Sequence, residues 1–367
     1  PTGYRSLCSK NLATPSPASV VNPRRHFGTL LWTGNNTVRT ISGLEFKPDL
    51  VWVKCRSNGH DHQITDSIRG VGKALRANDT NAEDDWGSNG MGAFVDGGFV
   101  LTDTSNARYN ENSQTFVAWC WKGGGTAVTN TVGNISAQVS ANQEAGFSVI
   151  TYTGDGNTSG NVGTGLRSTE PLACAIVKRR DSTSDWHVGH HGSGQGVNFA
   201  YHLNLNDTSI LSGNSPYHMA SQSATNGDRL YLAEGGLTSS ATYVAYVWQE
   251  RPGFSKFGYY TGTSDSDGVY VDCGFRPAFI IFKKFSTSTD SWEMHDSVRN
   301  TTNPVGNSLN PDTSSTEGSN RNVDFLAQGF KHRNANGNTN EGGCAYVFMA
   351  WAEQPSGTMF GLDANAR

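Results

Sequence analysis

The chain has 367 residues, of which only 35% are apolar and 43 are glycine, and its charged side chains sum to −4 at a pI near 6.2. That balance, with no basic run longer than Lys178-Arg179-Arg180, excludes the concentrated cationic face that nucleic acid requires, and no apolar stretch of about 18 residues exists to span a bilayer as a helix. Such a polar composition borders on disorder, but the 10% of aromatic residues lets short strands bury large areas, so a β-rich protein of two to four domains with many polar turns is expected.

Residues 1–26 carry Pro15-Ser16-Pro17 and Pro23-Arg24-Arg25 and read as an extended connector. The start at Pro1, with no charged-then-apolar leader, reads as a piece of something longer. Three homologous units follow, over 27–122, 147–253 and 254–356, with a short tail at 357–367. Between the first two lies a polar stretch, 123–146, that reads as a linker or an insertion laid over the surface.

The units repeat their blocks in one order. A lead strand ends in Trp32-Thr33-Gly34, Tyr152-Thr153-Gly154 and Tyr260-Thr261-Gly262. A Gly-apolar pair then precedes a proline and an apolar run closing on lysine: Gly43-Leu44 with Pro48 to Lys54, Gly165-Leu166 with Pro171 to Lys178, Gly274-Phe275 with Pro277 to Lys283. Units one and three continue with Asp66-Ser67 and Arg69, and with Asp296-Ser297 and Arg299, where unit two has His190-His191. They also share a Leu-to-Glu stretch (Leu75 to Glu83, Leu309 to Glu317) and a Phe-x-x-x-Gly-Phe element that unit two keeps only loosely near Leu230. Each unit closes on an aromatic phrase, at Phe116 to Trp121, Tyr243 to Trp248 and Tyr346 to Trp351.

Short β-branched and aromatic runs bounded by Gly, Pro or Asn predict about five strands per unit. Helical periodicity is almost absent, the best short candidates being Asp79 to Trp86 and Asn310 to Ser319, after possible Asp-Thr caps. The expected fold is all-β, with three homologous antiparallel β-sheet modules in one chain. Pseudo-threefold packing is preferred, with Trp121, Trp248 and Trp351 converging and Trp52 in the core; tandem beads are the alternative.

The side chains that could carry chemistry are few. Six cysteines occupy different blocks without C-x-x-C spacing, which predicts free, buried thiols rather than zinc ligands. His187, His190 and His191 cluster, but strand alternation lets only His187 and His191 face one way, a weak candidate metal pair; His60-Asp61-His62 is a second cluster. The Asp-x-x-Arg pairs predict a structural role, the aspartate taking turn amides and the arginine bridging to a neighbouring strand. Glu250 with Glu353, and Glu83 with Glu317, recur at equivalent positions of separate units, which predicts turn or structural roles rather than a hydrolytic pair. No catalytic residue is assigned, the protein is expected not to be an enzyme, and no cofactor is expected. Candidate ligand-binding residues are loop tips that pair polar or aromatic side chains with turns: Asn35, Asn36, Trp86, Asn89, Asp155, Asn157, Asn334 and Asn336. Ordinary turn-building accounts for the same residues.

The string from Thr129 to Gly154, together with Phe46 to Lys54, Asp66-Ser67-Ile68-Arg69-Gly70, Ser255-Lys256-Phe257-Gly258 and Gly274 to Phe279, resembles a tail-fibre family of tailed bacteriophages, notably those of marine cyanobacteria. The likeness runs from about residue 27 to 356. Pro1 to Cys8 with Asn11-Leu12 is similar to the closing strand of a SPRY-like, lectin-type domain that precedes the repeats in related fibres. The resemblance implies a virion structural protein, made in the host cytoplasm, displayed on the particle as a homotrimer with other virion proteins, and used for adsorption to a host-surface glycan or protein. It supplies no catalytic residues. A polysaccharide-depolymerase fibre and a capsid decoration or head-fibre protein are the alternatives.

Overall fold

Each aromatic phrase forms a strand whose successive side chains leave in opposite directions, and here both directions lead into apolar cores. In Thr115–Trp121, Phe116, Ala118 and Cys120 enter one core while Val117, Trp119 and Trp121 enter another. Thr242–Trp248 divides Tyr243, Ala245 and Val247 from Val244, Tyr246 and Trp248 in the same way. Ala345–Ala352 divides Tyr346, Phe348 and Ala350 from Val347, Met349 and Trp351. These assignments come from a computed structural model, which describes residues 22–87, 89–102, 108–193, 198–212, 219–287 and 289–353. Most of the expected connector, and the tail 357–367, lie outside the described residues.

The aromatic strand is central in each main sheet. On one side it pairs with the lead strand (Phe27–Thr33, Phe147–Thr153 or Ser255–Thr261). On the other it pairs with the strand that carries the repeated lysine (Leu50–Cys55, Cys174–Arg179 or Pro277–Lys284). A fourth strand follows, Gln63–Asp66, Trp186–His190 or Glu293–Asp296. A small second sheet covers the outer face: Arg39–Ser42, Gly98–Leu101 and Met91–Val95 in module 1, Ser159–Gly163 with Arg229–Ala233 in module 2, and Tyr270–Asp272, Gly329–His332 and Val323–Leu326 in module 3. All ladders between these strands are antiparallel, so the fold is all-β as the sequence predicts. The glycines that recur before the lysine strands, Gly43, Gly165 and Gly274, share φ values of +135°, +70° and +74°, which explains why the position stays glycine.

The inner faces of the three main sheets meet in one core. Trp121, Trp248 and Trp351 lie against one another with ring centroids 5.3–6.4 Å apart and edge-to-face tilts. Trp52, Trp119, Phe279 and Trp292 join the same cluster. Each module has its own outer core and adds side chains to an inner one that residues of all three line. The buried lysines connect neighbours in a closed cycle. Lys54 Nζ donates to Ser314 O of module 3 at 3.0 Å, Lys178 Nζ to Thr80 O of module 1 at 2.9 Å, and Lys283 Nζ to Thr208 O of module 2 at 3.0 Å.

Four expectations change. The stretch 123–146 is part of module 2's main sheet: Ala137–Asn142 pairs with the lead strand, Val128–Asn130 pairs outside it, and Ala137 and Val139 enter the module's core. The candidate helices at Asp79 to Trp86 and Asn310 to Ser319 are not helical. Asp79 builds a turn onto Asn81, and backbone groups of both stretches bond neighbouring modules, through Ser184 N to Thr80 O and Glu317 N to Arg56 O. Modules have more than five strands, counting the short ones. Finally, module 2's counterpart of the Leu-to-Glu stretch lies near Leu205 and Thr208, since Leu205 enters the shared core as Leu75 and Leu309 do, whereas Leu230 belongs to the outer sheet. Among the described residues the one α-helix is Gly337–Asn340.

Candidate functional site

The repeated charged residues build the junctions between modules. Asp66 Oδ1 accepts the amides of Ile68 and Arg69 at 3.1 and 2.9 Å, and Arg69 pairs with Asp66 Oδ2 while donating to Ile64 O. Arg69 also meets Glu83 at 2.9 Å, and Glu83 takes a fork from Arg180 of module 2 at 2.9 and 3.0 Å. Module 3 repeats the arrangement onto module 1: Asp296 holds Arg299, Arg299 meets Glu317, and Glu317 takes the fork of Arg56. Burial pushes the Glu83 and Glu317 carboxyls up, but their arginine pairs outweigh it and hold both below the usual glutamate range. The structural role expected of the Asp-x-x-Arg pairs, and of Glu83 and Glu317, accounts for all of these contacts.

The drifted middle unit changes both sides of its junction. Where Asp66 receives Tyr246 Oη and Asp296 receives Trp119 Nε1, the matching position of module 3 is Met349, which has no proton to give. It faces Cys174 at 4.0 Å between the sulfurs, and His190 Nε2 instead bonds Phe348 O at 3.1 Å. The loss of the aspartate and the loss of the donor thus occur at the same junction.

The loop-tip candidates are occupied mainly by their own turns. Asn35 Oδ1 accepts Thr37 N and Asn110 Nδ2, and Asn36, at φ +52°, accepts Asn112 N. Asp155 accepts both the amide and the side chain of Asn157, at 3.0 and 2.7 Å. Asn334 accepts Asn336 N, and Asn336 accepts Asn338 N and the Arg321 guanidinium. The Trp86 ring has the Arg108 guanidinium 3.7 Å from its centroid, which fills one face of a would-be sugar platform, while exposed Asn89 only turns back to Trp86 O through its amide.

The described histidines are engaged separately. His187 packs edge-on against His202 at 4.7 Å, and His191 Nε2 bonds Phe257 O at 2.8 Å. His62 accepts Trp52 Nε1 and meets Asn310 O, while His60 pairs with Glu111. Among the described residues no three His, Cys, Asp or Glu side chains are grouped as a metal would need. Five of the six cysteines are described, all free and buried; Cys8 lies outside the described residues.

Open space collects at the junctions, beside the base of the lead strands. The cleft between modules 1 and 2 has a volume of about 920 Å³ and is walled by His26, Lys47, Asp49, Phe94, Lys122 and Glu144, together with the backbone of residues 123–127. Asp49 is engaged: its carboxylate accepts Ser67 Oγ at 2.7 Å and Gly123 N at 2.8 Å. His26 accepts from Asn142 Nδ2 at 3.0 Å and lies 3.5 Å from Glu144. The matching cleft between modules 3 and 1, beside Ser297 and Val298, holds about 280 Å³. At the third junction His191 bonds Phe257 O, and a Cβ on Gly192 would sit 2.7 Å from the Gly258 backbone, so the space is filled. None of the large cleft's lining residues was singled out in sequence as a binding candidate. Their one sequence signal is the stretch 123–146, which interrupts the repeat at that junction.

The chain belongs to the family described as "Domain of unknown function (DUF7483)", whose model matches residues 22–355. No curated protein and no solved structure matches it.

Proposed function

We propose that this member of the family is a virion structural protein of a tailed bacteriophage, a tail-fibre domain that binds a host-surface glycan or protein during adsorption. The observation that carries the reading is the direction of the repeats. The side chains that recur in all three units, the terminal tryptophans and the lysines, are buried and spent on joining modules. What varies from unit to unit faces outward: the tips, and the cleft between modules 1 and 2 that residues 123–127 and 141–144 line. A rigid repeated scaffold with unequal outer loops suits recognition, and the resemblance of its sequence blocks to phage tail fibres names the setting. In that setting the chain acts as a homotrimer attached to other virion proteins.

Adsorption competition tests this. Host cells preincubated with the purified protein should take up fewer phage particles, and antibody against the protein should label the tail in electron micrographs. Label confined to the capsid would remove the tail-fibre assignment. Release of new reducing ends from host polysaccharide, abolished by one acid-to-amide substitution, would replace binding with hydrolysis.

A further inference from the structure

We propose that the cleft between modules 1 and 2 is a binding site for an anionic sugar, a pyranose carrying a carboxylate or sulfate; this deepens the reading of the protein as a host-surface binder and rests on it.

Three junctions are built on one plan, one is filled, and one leaves about 280 Å³. Packing of the repeats therefore does not require a space of about 920 Å³. That space exists because the backbone of residues 123–127 and Ala141 to Glu144 forms its far wall, and this extra segment has no counterpart at the other junctions. The volume falls in the range of roughly 300–1,000 Å³ typical of small-molecule sites.

The wall carries two ammonium groups, Lys47 and Lys122, and neither has a hydrogen-bond or carboxylate partner among the described residues. Elsewhere the protein spends its cations: Arg56, Arg69, Arg180 and Arg299 are all paired at junctions. The same wall carries two carboxylates, but neither pairs with the lysines: Asp49 accepts Ser67 Oγ and Gly123 N, and Glu144 lies beside His26 at 3.5 Å. Phe94, half-buried on the module 1 hairpin, supplies an apolar surface for the face of a sugar ring. Ser67 and Gln143 line the same cleft; Ser67 Oγ donates to Asp49 and Gln143 Nε2 to Gly165 O, which leaves their oxygen lone pairs to accept from ring hydroxyls. Anion, ring face and hydroxyls thus each have a complement.

Isothermal titration calorimetry of the full chain decides the matter, using glucuronate, glucose 6-sulfate, glucose and inorganic sulfate as probes. Binding of either charged sugar, at least tenfold tighter than glucose and than sulfate, is expected, and which of the two wins identifies the anion. Lys47→Gln with Lys122→Gln should weaken that binding at least tenfold with an unchanged melting temperature, and Phe94→Ala should weaken it independently of charge. Equal affinity for glucose, equal affinity for bare sulfate, binding insensitive to the lysines, or no binding of either charged sugar overturns the proposal. The double lysine variant also separates this inference from the broader one. If it still competes for phage adsorption as the wild type does, the cleft is not the receptor site while the adsorption reading stands; if the wild type itself does not compete, the adsorption reading fails.

Discussion

Tyr246 donates its phenolic proton to Asp66 at 2.8 Å across the junction between modules 2 and 1. Arg69 donates to the same phenolic oxygen at 3.1 Å, so one buried hydroxyl serves two charged groups of another module. Tyr246→Phe should therefore cost about 1–3 kcal/mol, the price of leaving buried polar groups short of partners. Met349 occupies the matching position and donates nothing, and Met349→Leu should cost less than about 1.5 kcal/mol as a volume-conserving swap. Urea midpoints of the two variants test the contrast; equal losses would show that the hydroxyl is idle.

Glu83 links two arginines from different modules, Arg69 at 2.9 Å and Arg180 at 2.9 Å. Its side chain is only 10% exposed, so the pairs are little screened by solvent. Glu83→Gln would leave Arg180 without a carboxylate and Arg69 with Asp66 alone, and should destabilise by about 3 kcal/mol. Arg180→Ala combined with Glu83→Gln should cost clearly less than the sum of the two single changes, because they remove one shared interaction. Strict additivity in that double-mutant cycle would refute the coupling.

Acid should weaken the fold before most carboxylates titrate. Burial pushes His190 and His332 down to about 3 and holds His62 and His295 well below the ordinary imidazole value. Each folded-state value is depressed, so the unfolded chain takes up the proton first. The stability these groups provide is complete above pH 6.5 and is lost as pH falls from there, by roughly 1.4 kcal/mol per group for each pH unit. Asp312, raised by burial to about 6, and Glu293, also raised by burial, act in the opposite sense, but the depressed histidines, with His26 and His202 lowered by burial as well, outnumber them. Urea midpoints should therefore drop between pH 7.5 and 5.5, and a flat or rising profile would contradict the neutral histidines.

Much of this fold could be read from the sequence where a signal was local. The two-residue alternation of Val117, Trp119 and Trp121 against Phe116, Ala118 and Cys120 needs no knowledge of the partner to show a strand buried on both faces. Gly43, Gly165 and Gly274 recur because each sits at a positive φ. Signals that depend on distant partners were hidden. Asp79 looks like a helix cap, but its stretch gives Thr80 O to Lys178 and Ser184 of module 2. Ala137 and Val139 are too small and too widely spaced among polar residues to announce a strand, yet they pair with Phe147–Thr153 and enter its core. The large cleft was invisible for the same reason: Lys47 and Lys122 are unremarkable in sequence until residues 123–146 fold back beside them.

Trp351 tests whether the three modules stand or fall together. Its ring touches Trp121 and Trp248 of the other two modules at 5.3 and 6.0 Å, so its removal opens a cavity that borders all three sheets. Trp351→Ala should cost about 3–5 kcal/mol. Trp351→Phe should cost much less, because the Trp351 indole N–H is buried without a hydrogen-bond partner and only volume is lost. Trp119 differs: its indole donates to Asp296 of module 3 at 3.1 Å, so Trp119→Phe should exceed Trp351→Phe by the cost of that unmet carboxylate, about 1–3 kcal/mol. Calorimetry then addresses cooperativity. An isolated module would expose its part of the shared core, including Phe279, Met349 and Trp351 in module 3, and that apolar surface makes partial unfolding costly. A single transition is expected for the wild type, with Trp351→Ala lowering the whole transition; three resolved transitions, only one of them shifted, would mean that the inner core does not couple the modules.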